Sequence, residues 1–81
     1  MTDLELLGEL ERLAGRLDIE LRPGNGEFNG GICSIHGKKV FIVNTQLTTQ
    51  QTVQIFCREL SRLDLSGVFV LPAIRQRLEG N

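Results

Sequence analysis

The 81-residue chain has no tryptophan, no tyrosine, one histidine, two prolines and two cysteines. Each shortage narrows what it can do. Without Tyr or Trp, single-stranded nucleic acid loses most of the platforms on which bases stack, and the four phenylalanines read by pattern as core residues. A thiol nucleophile needs a base, and His36 is the only imidazole to offer one. Two cysteines do not frame a secreted disulfide scaffold, so both are expected as buried thiols. No apolar run approaches the ~20 residues of a membrane-spanning helix. The N-terminus, MTDLELLGELERLAGRL, is acidic and helical in period, where an export signal begins basic and continues apolar. These features lead us to expect a cytoplasmic protein without a membrane partner.

Net charge is also scarce, at −1, which gives no general attraction to nucleic acid or to an anionic surface. The charge is unevenly spread, however. Residues 1–27 hold seven acids against three bases, and residues 28–81 hold six bases against three acids, so the halves stand at −4 and +3.

What remains is an ordinary globular composition, 41% hydrophobic and 23% charged, in a chain of 9.0 kDa. That length makes a single domain that buries roughly 60–65% of its unfolded surface. Its core is thin, and its stability is on the order of 5 kcal/mol.

Periodicity divides the chain into six segments. Leu6, Leu10, Leu13 and Leu17, widened by Leu7 and Ala14, predict an amphipathic helix over 3–16, with Thr2 or Asp3 as its cap. Gly8 and Gly15 weaken that helix unless they permit close packing or, for Gly15, end it. Alternation in DIELRP predicts a strand over 18–22 closed by Pro23. A glycine-rich loop, 24–31, follows. GICSIHGKKVFIVN predicts a hairpin over 31–44 turning at His36-Gly37, with Cys33 opposite Val40 and Ile35 opposite Lys38. Both faces of this hairpin are apolar, which calls for cover on both sides or for a second subunit. A helix over 49–63 buries Val53, Phe56, Cys57, Leu60 and Leu63. After VFVL, either a strand or a connector, Pro72 opens a helix over 72–79 that turns Ala73, Ile74 and Leu78 inward. The expected fold is α+β, in the order α-β-β-β-α-(β or connector)-α, with a three-stranded, mainly antiparallel sheet packed on helices.

Two candidate sites fail on geometry. Cys33-x-x-His36 with Cys57 has the look of a ligand set, yet positions three apart on a strand point to opposite faces and His36 belongs to the turn. A phosphate-cradling glycine loop needs a following helix, and here a strand follows. No metal and no cofactor are expected.

The segment VFIVNTQLTTQQTVQIFCRELSRLDL runs from a strand ending in Asn, through a capping Thr, into a helix with apolar-x-R-E-L-x-R-L. Over residues 39–65, a third of the chain, it resembles the core of the ImmA/IrrE-like zinc metallopeptidases, whose helix carries F-x-x-A-H-E-L-G-H. The resemblance implies a zincin-like scaffold in which Arg58 and Arg62 take the two zinc-ligand positions and Glu59 that of the general base. Cys57 falls where the family has a small residue and Ser61 where it has Gly, and no residue is a credible third ligand. A guanidinium stays protonated and offers no lone pair, so neither arginine can hold Zn²⁺. The competing description is an ordinary amphipathic helix with Arg58 and Arg62 on its solvated face and Glu59 paired to Arg62 on the surface.

Both descriptions predict no enzyme. The leading expectation is therefore a non-catalytic protein-interaction module, binding another protein or a second copy of itself, with Arg58, Glu59, Arg62, Lys38 and Lys39 as candidate binding residues. The alternative is a nucleic-acid or anion-binding module using Lys38, Lys39, Arg58, Arg62, Arg75 and Arg77.

Overall fold

A computed structural model describes residues 1–27 and 29–80, so Phe28 of the glycine loop lies outside the described residues. The element order is α1 (Asp3–Arg16), β1 (Glu20–Gly24), β2 (Gly31–Ile35), β3 (Lys38–Asn44), α2 (Thr49–Leu60) and α3 (Pro72–Glu79). This is the expected α+β fold.

Both long helices start with a reciprocal capping box. The Thr2 hydroxyl accepts from the Glu5 amide at 3.2 Å while the Thr2 amide donates to Glu5 Oε1 at 3.0 Å. Thr48 and Gln51 repeat the arrangement at 3.1 and 2.9 Å. Each box satisfies two amides that have no partner within the helix. The bonds with the Thr2 backbone and side chain also hold the Glu5 carboxyl below its usual value.

The hairpin forms in the expected register, Cys33 opposite Val40 and Ile35 opposite Lys38. His36 and Gly37 have φ of 51° and 80°, the two left-handed positions of a type I′ turn. β1 then joins β3 from the other side as a parallel strand, giving the mixed order β1-β3-β2. β1 spans 20–24 rather than 18–22, because Asp18 takes a left-handed conformation (φ 59°) just after α1 and delays the strand. Pro23 lies within this edge strand, where its missing amide costs no ladder bond.

The helices lie on one side of the sheet, α1 and α2 against the strands and α3 against those two helices. Phe41 of β3 stacks on Phe56 of α2 with ring centroids 4.2 Å apart, and around this pair pack Leu6, Leu10 and Leu13 of α1, Ile19, and Val53 and Leu60 of α2. Ile74 and Leu78 of α3 complete the core. Leu21, Ile32 and Val43 reach it from the same side of the sheet. The opposite face carries Cys33, Ile35, Val40 and Ile42 beneath no helix. There Val40, the middle residue, is buried by its neighbours on the sheet, among them the ion-paired Glu20 and Arg22.

Several expectations are corrected by the packing. α2 ends at Leu60 rather than 63, because Arg62 and Leu63 donate to Glu59 and Leu60 in tightened three-residue turns and the Ser61 hydroxyl takes the Arg58 carbonyl. Leu63 is half-buried. Of the two readings of VFVL the connector holds, with Val70 buried, but Phe69, expected in the core, is 64% exposed with the Arg16 guanidinium 5.9 Å from its ring. Ala73 is exposed, since α3 rests on the core through Ile74 and Leu78 alone. Cys33 is exposed too, on the uncovered sheet face.

Gly8 and Gly15 permit no close approach: a Cβ at either would meet nothing within 4 Å, and neither has a positive φ. They weaken α1 without compensation. Gly8→Ala and Gly15→Ala are therefore each expected to stabilise the protein by about 0.5–1 kcal/mol, additively, in urea unfolding. Destabilisation by either would reveal a packing role for it.

Candidate functional site

Helix α2 presents three faces to three surroundings. Val53, Phe56, Cys57 and Leu60 are buried in the core. Glu59 points to the edge strand β2, Gln51, Gln54 and Arg58 are exposed on the outward side, and the half-buried Ile55 packs against the core beneath them.

The Glu59 contact follows from how a hairpin alternates its hydrogen bonds. Ile35 and Lys38 flank the tight turn and bond to each other, so the amides of Ser34 and Ile32 point away from β3 to the open edge. Glu59 Oε1 accepts the Ile32 amide at 2.9 Å. Its other oxygen lies 3.3 Å from Arg62 Nη1 and 3.8 Å from Arg58 Nε. The Glu59 side chain is only 13% exposed, so the Glu59–Arg62 pair anticipated on the helix surface exists but is mainly a connection from α2 to the sheet.

Two glycines let the strand come this close. A Cβ on Gly31 would lie 2.7 Å from Glu59 Oε1, and one on Gly30, whose φ is 93°, would lie 2.5 Å from the Ile42 carbonyl oxygen. The glycine-rich segment thus serves close backbone approach. Its far end is tied by Asn44, 4% exposed, whose side-chain amide donates to the Gly26 carbonyl at 3.2 Å and whose Oδ1 accepts from the Gln46 amide at 2.9 Å. Asn44 therefore fixes both the loop and the turn that delivers Thr48 to cap α2.

On its outward side α2 borders a groove of about 600 Å³, lined by Asn29, Leu47, Gln51, Gln54, Ile55, Arg58 and Arg77. Leu47 and Ile55 are half-buried and give an apolar floor, and the rest are exposed polar groups. None of the described lining residues is acidic.

The five candidate residues do not converge. Arg58, Glu59 and Arg62 form one group on α2. Lys38 and Lys39 start β3 beside the hairpin turn, where they line a separate depression with Leu17, Asp18 and His36, and Lys38 Nζ lies 3.9 Å from Asp18 Oδ1. Arg75 lines a third pocket, about 210 Å³, with Leu63, Leu65, Val70 and Leu78. Only Arg77 joins Arg58 in the α2 groove.

Among the described residues no group of three His, Cys, Asp or Glu side chains is gathered as metal ligands would be. Cys57 is 1% exposed, and burial pushes its thiol above the usual value, with Arg77 acting in the opposite direction. It therefore stays protonated at neutral pH and serves as a packing group. Among the described residues, no helix is long and apolar enough to cross a membrane. No protein-family model, curated protein or solved structure matches the chain.

Removing the Glu59 carboxylate would strand the Ile32 amide at a part-buried edge. Glu59→Ala is expected to cost about 1–3 kcal/mol and to speed hydrogen exchange at Ile32 by roughly tenfold or more, toward the rate at Ser34. Glu59→Gln, which keeps an acceptor oxygen, should cost less. Unchanged protection at Ile32 in Glu59→Ala would contradict the bond's role.

Proposed function

We propose that the protein is a non-catalytic interaction module, built on a metallopeptidase-like scaffold whose zinc positions carry Arg58 and Arg62. The observation that carries this reading is the use of the Glu59 carboxylate. In a zinc-dependent hydrolase the glutamate at this position must be free to take a proton from a metal-bound water. Here one of its oxygens accepts the Ile32 amide and the other faces Arg62. A side chain so held is a structural tie.

The two positions one helical turn apart, 58 and 62, carry permanent cations that repel a metal ion. What the scaffold retains is shape. The outward side of α2, the segment before β2 and the start of the α2 approach still border an open groove, now lined by amides and guanidinium groups. Such a surface has donors and acceptors at its rim and an apolar floor, the composition of a protein-recognition site. The partner is another protein or a second copy of the chain.

Zinc equilibrium dialysis of the purified protein, followed by hydrolysis assays on unfolded protein substrates, tests the non-catalytic claim. The reading predicts well under one equivalent of bound zinc and no turnover above background. One equivalent of zinc together with a hydrolytic rate abolished by Glu59→Gln would overturn it. The interaction claim is tested separately by a photo-crosslinking residue at position 54, on the groove, or at position 39, at the hairpin. A discrete protein adduct is expected from position 54 and not from 39, and an adduct from neither would count against it.

A further inference from the structure

We infer that the α2 groove receives an extended acidic segment of a partner protein, its carboxylates held between Arg58 and Arg77. This deepens the interaction-module reading and rests on it, but it stands on separate observations. Arg58 comes from α2 and Arg77 from α3, and both guanidinium-bearing side chains line the same groove. The Arg77 side chain has no hydrogen bond or ion pair with any other described residue. Arg58 has only the 3.8 Å approach of its Nε to Glu59, whose carboxylate is already engaged by Ile32 and Arg62. Two cations therefore line an opening that has no acid among its described lining residues to neutralise them.

The remaining lining gives the class of the ligand. Guanidinium groups bind planar carboxylates through paired N–H donors, and Arg58 and Arg77 supply two such forks. Gln51, Gln54 and Asn29 each carry one amide donor group and one acceptor, the complement of the N–H and C=O groups of an extended peptide. Leu47 and Ile55 offer apolar contact between them. A volume of about 600 Å³ lies within the usual range for ligand pockets. None of the described lining residues is aromatic, so none of them offers a nucleobase a stacking platform, and this favours an acidic peptide over a nucleic acid.

The test is a nuclear magnetic resonance titration of the full chain, at low salt, with an acetylated and amidated hexaglutamate peptide. Shifts are expected at Asn29, Gln54, Arg58 and Arg77, and binding should weaken as salt is raised. The double variant Arg58→Gln/Arg77→Gln is expected to bind at least tenfold more weakly. The double variant Lys38→Gln/Lys39→Gln, with the same change in charge, should bind as the parent does. Hexaglutamine should bind at least tenfold more weakly than hexaglutamate. Circular dichroism melts of both variants verify that they fold, as expected for exposed side chains.

Equal loss in the two double variants would mean general charge attraction and would overturn the proposal, as would shifts centred on the hairpin or absent altogether. A single-stranded oligonucleotide that binds more tightly than the peptide, through the same two arginines, would reassign the groove to nucleic acid. In either case the crosslinking result at position 54 would still decide whether the protein is an interaction module.

Discussion

A single charge-assisted hydrogen bond, from the Ile32 amide to the Glu59 carboxylate, connects the edge of the sheet to the helix that carries the groove. The rest of the arrangement is organised around it. Hairpin geometry turns the Ile32 amide outward, where an unpaired strand edge invites another chain to add to the sheet. Glu59 occupies that donor at 2.9 Å and so covers part of the edge. The opposite edge, β1, carries Pro23, which has no amide to offer. Gly30 and Gly31 are the local requirement for this closeness, since a Cβ at either would collide with the Ile42 carbonyl oxygen or with Glu59 itself.

Once the bond is in place, the roles of the three faces of α2 follow from helical geometry. Phe56 stacks on Phe41 and fixes the height of the helix over the sheet, and Glu59, one turn later, fixes its lateral position. With those two contacts set, Gln51, Gln54 and Arg58 are left exposed along the groove, Ile55 packs against the core at its floor, and α3 brings Arg77 to the same opening. The interaction surface is thus a by-product of how the core and the edge are satisfied. The charge asymmetry of the sequence contributes too: the groove lies wholly in the basic C-terminal two-thirds, while the acids of α1 lie on another element.

The parts of this structure that were legible in the sequence are those set by neighbours along the chain. Thr2 with Glu5 and Thr48 with Gln51 are three residues apart, so the capping boxes could be anticipated at the level of the cap residue. The register of the hairpin followed from His36-Gly37, because a two-residue turn leaves one pairing. The stripe of Val53, Phe56, Cys57 and Leu60 followed from helical period. What the sequence did not disclose depends on contacts between distant segments. Glu59 and Ile32 are 27 residues apart, and a glutamate followed by an arginine at i+3 reads as a surface pair when the strand beside it is unseen. Arg58 and Arg77 share a groove only because α3 packs against α2, whereas Lys38 and Lys39, which share their sign, stay at the hairpin turn. Phe69 and Cys33 were assigned to the interior; Cys33 is exposed because it lies on the sheet face that no helix covers, and Phe69 is exposed in the connector before α3, with the Arg16 guanidinium over its ring. The one cue that was present was glycine: two adjacent glycines before a strand mark close backbone approach, and here they mark the place where Glu59 arrives.

The most direct measurement is a double-mutant cycle between positions 31 and 59, read by urea unfolding. In the parent, Gly31→Ala places a methyl 2.7 Å from Glu59 Oε1 and so pushes the carboxylate from the Ile32 amide, in addition to the backbone cost of φ 154°. In a Glu59→Ala background only the backbone cost remains. The account predicts that Gly31→Ala is less destabilising there, by about 1 kcal/mol, which is the usual net worth of such a bond. Additivity of the two substitutions within about 0.3–0.5 kcal/mol would show that the strand and the helix are not joined through this carboxylate.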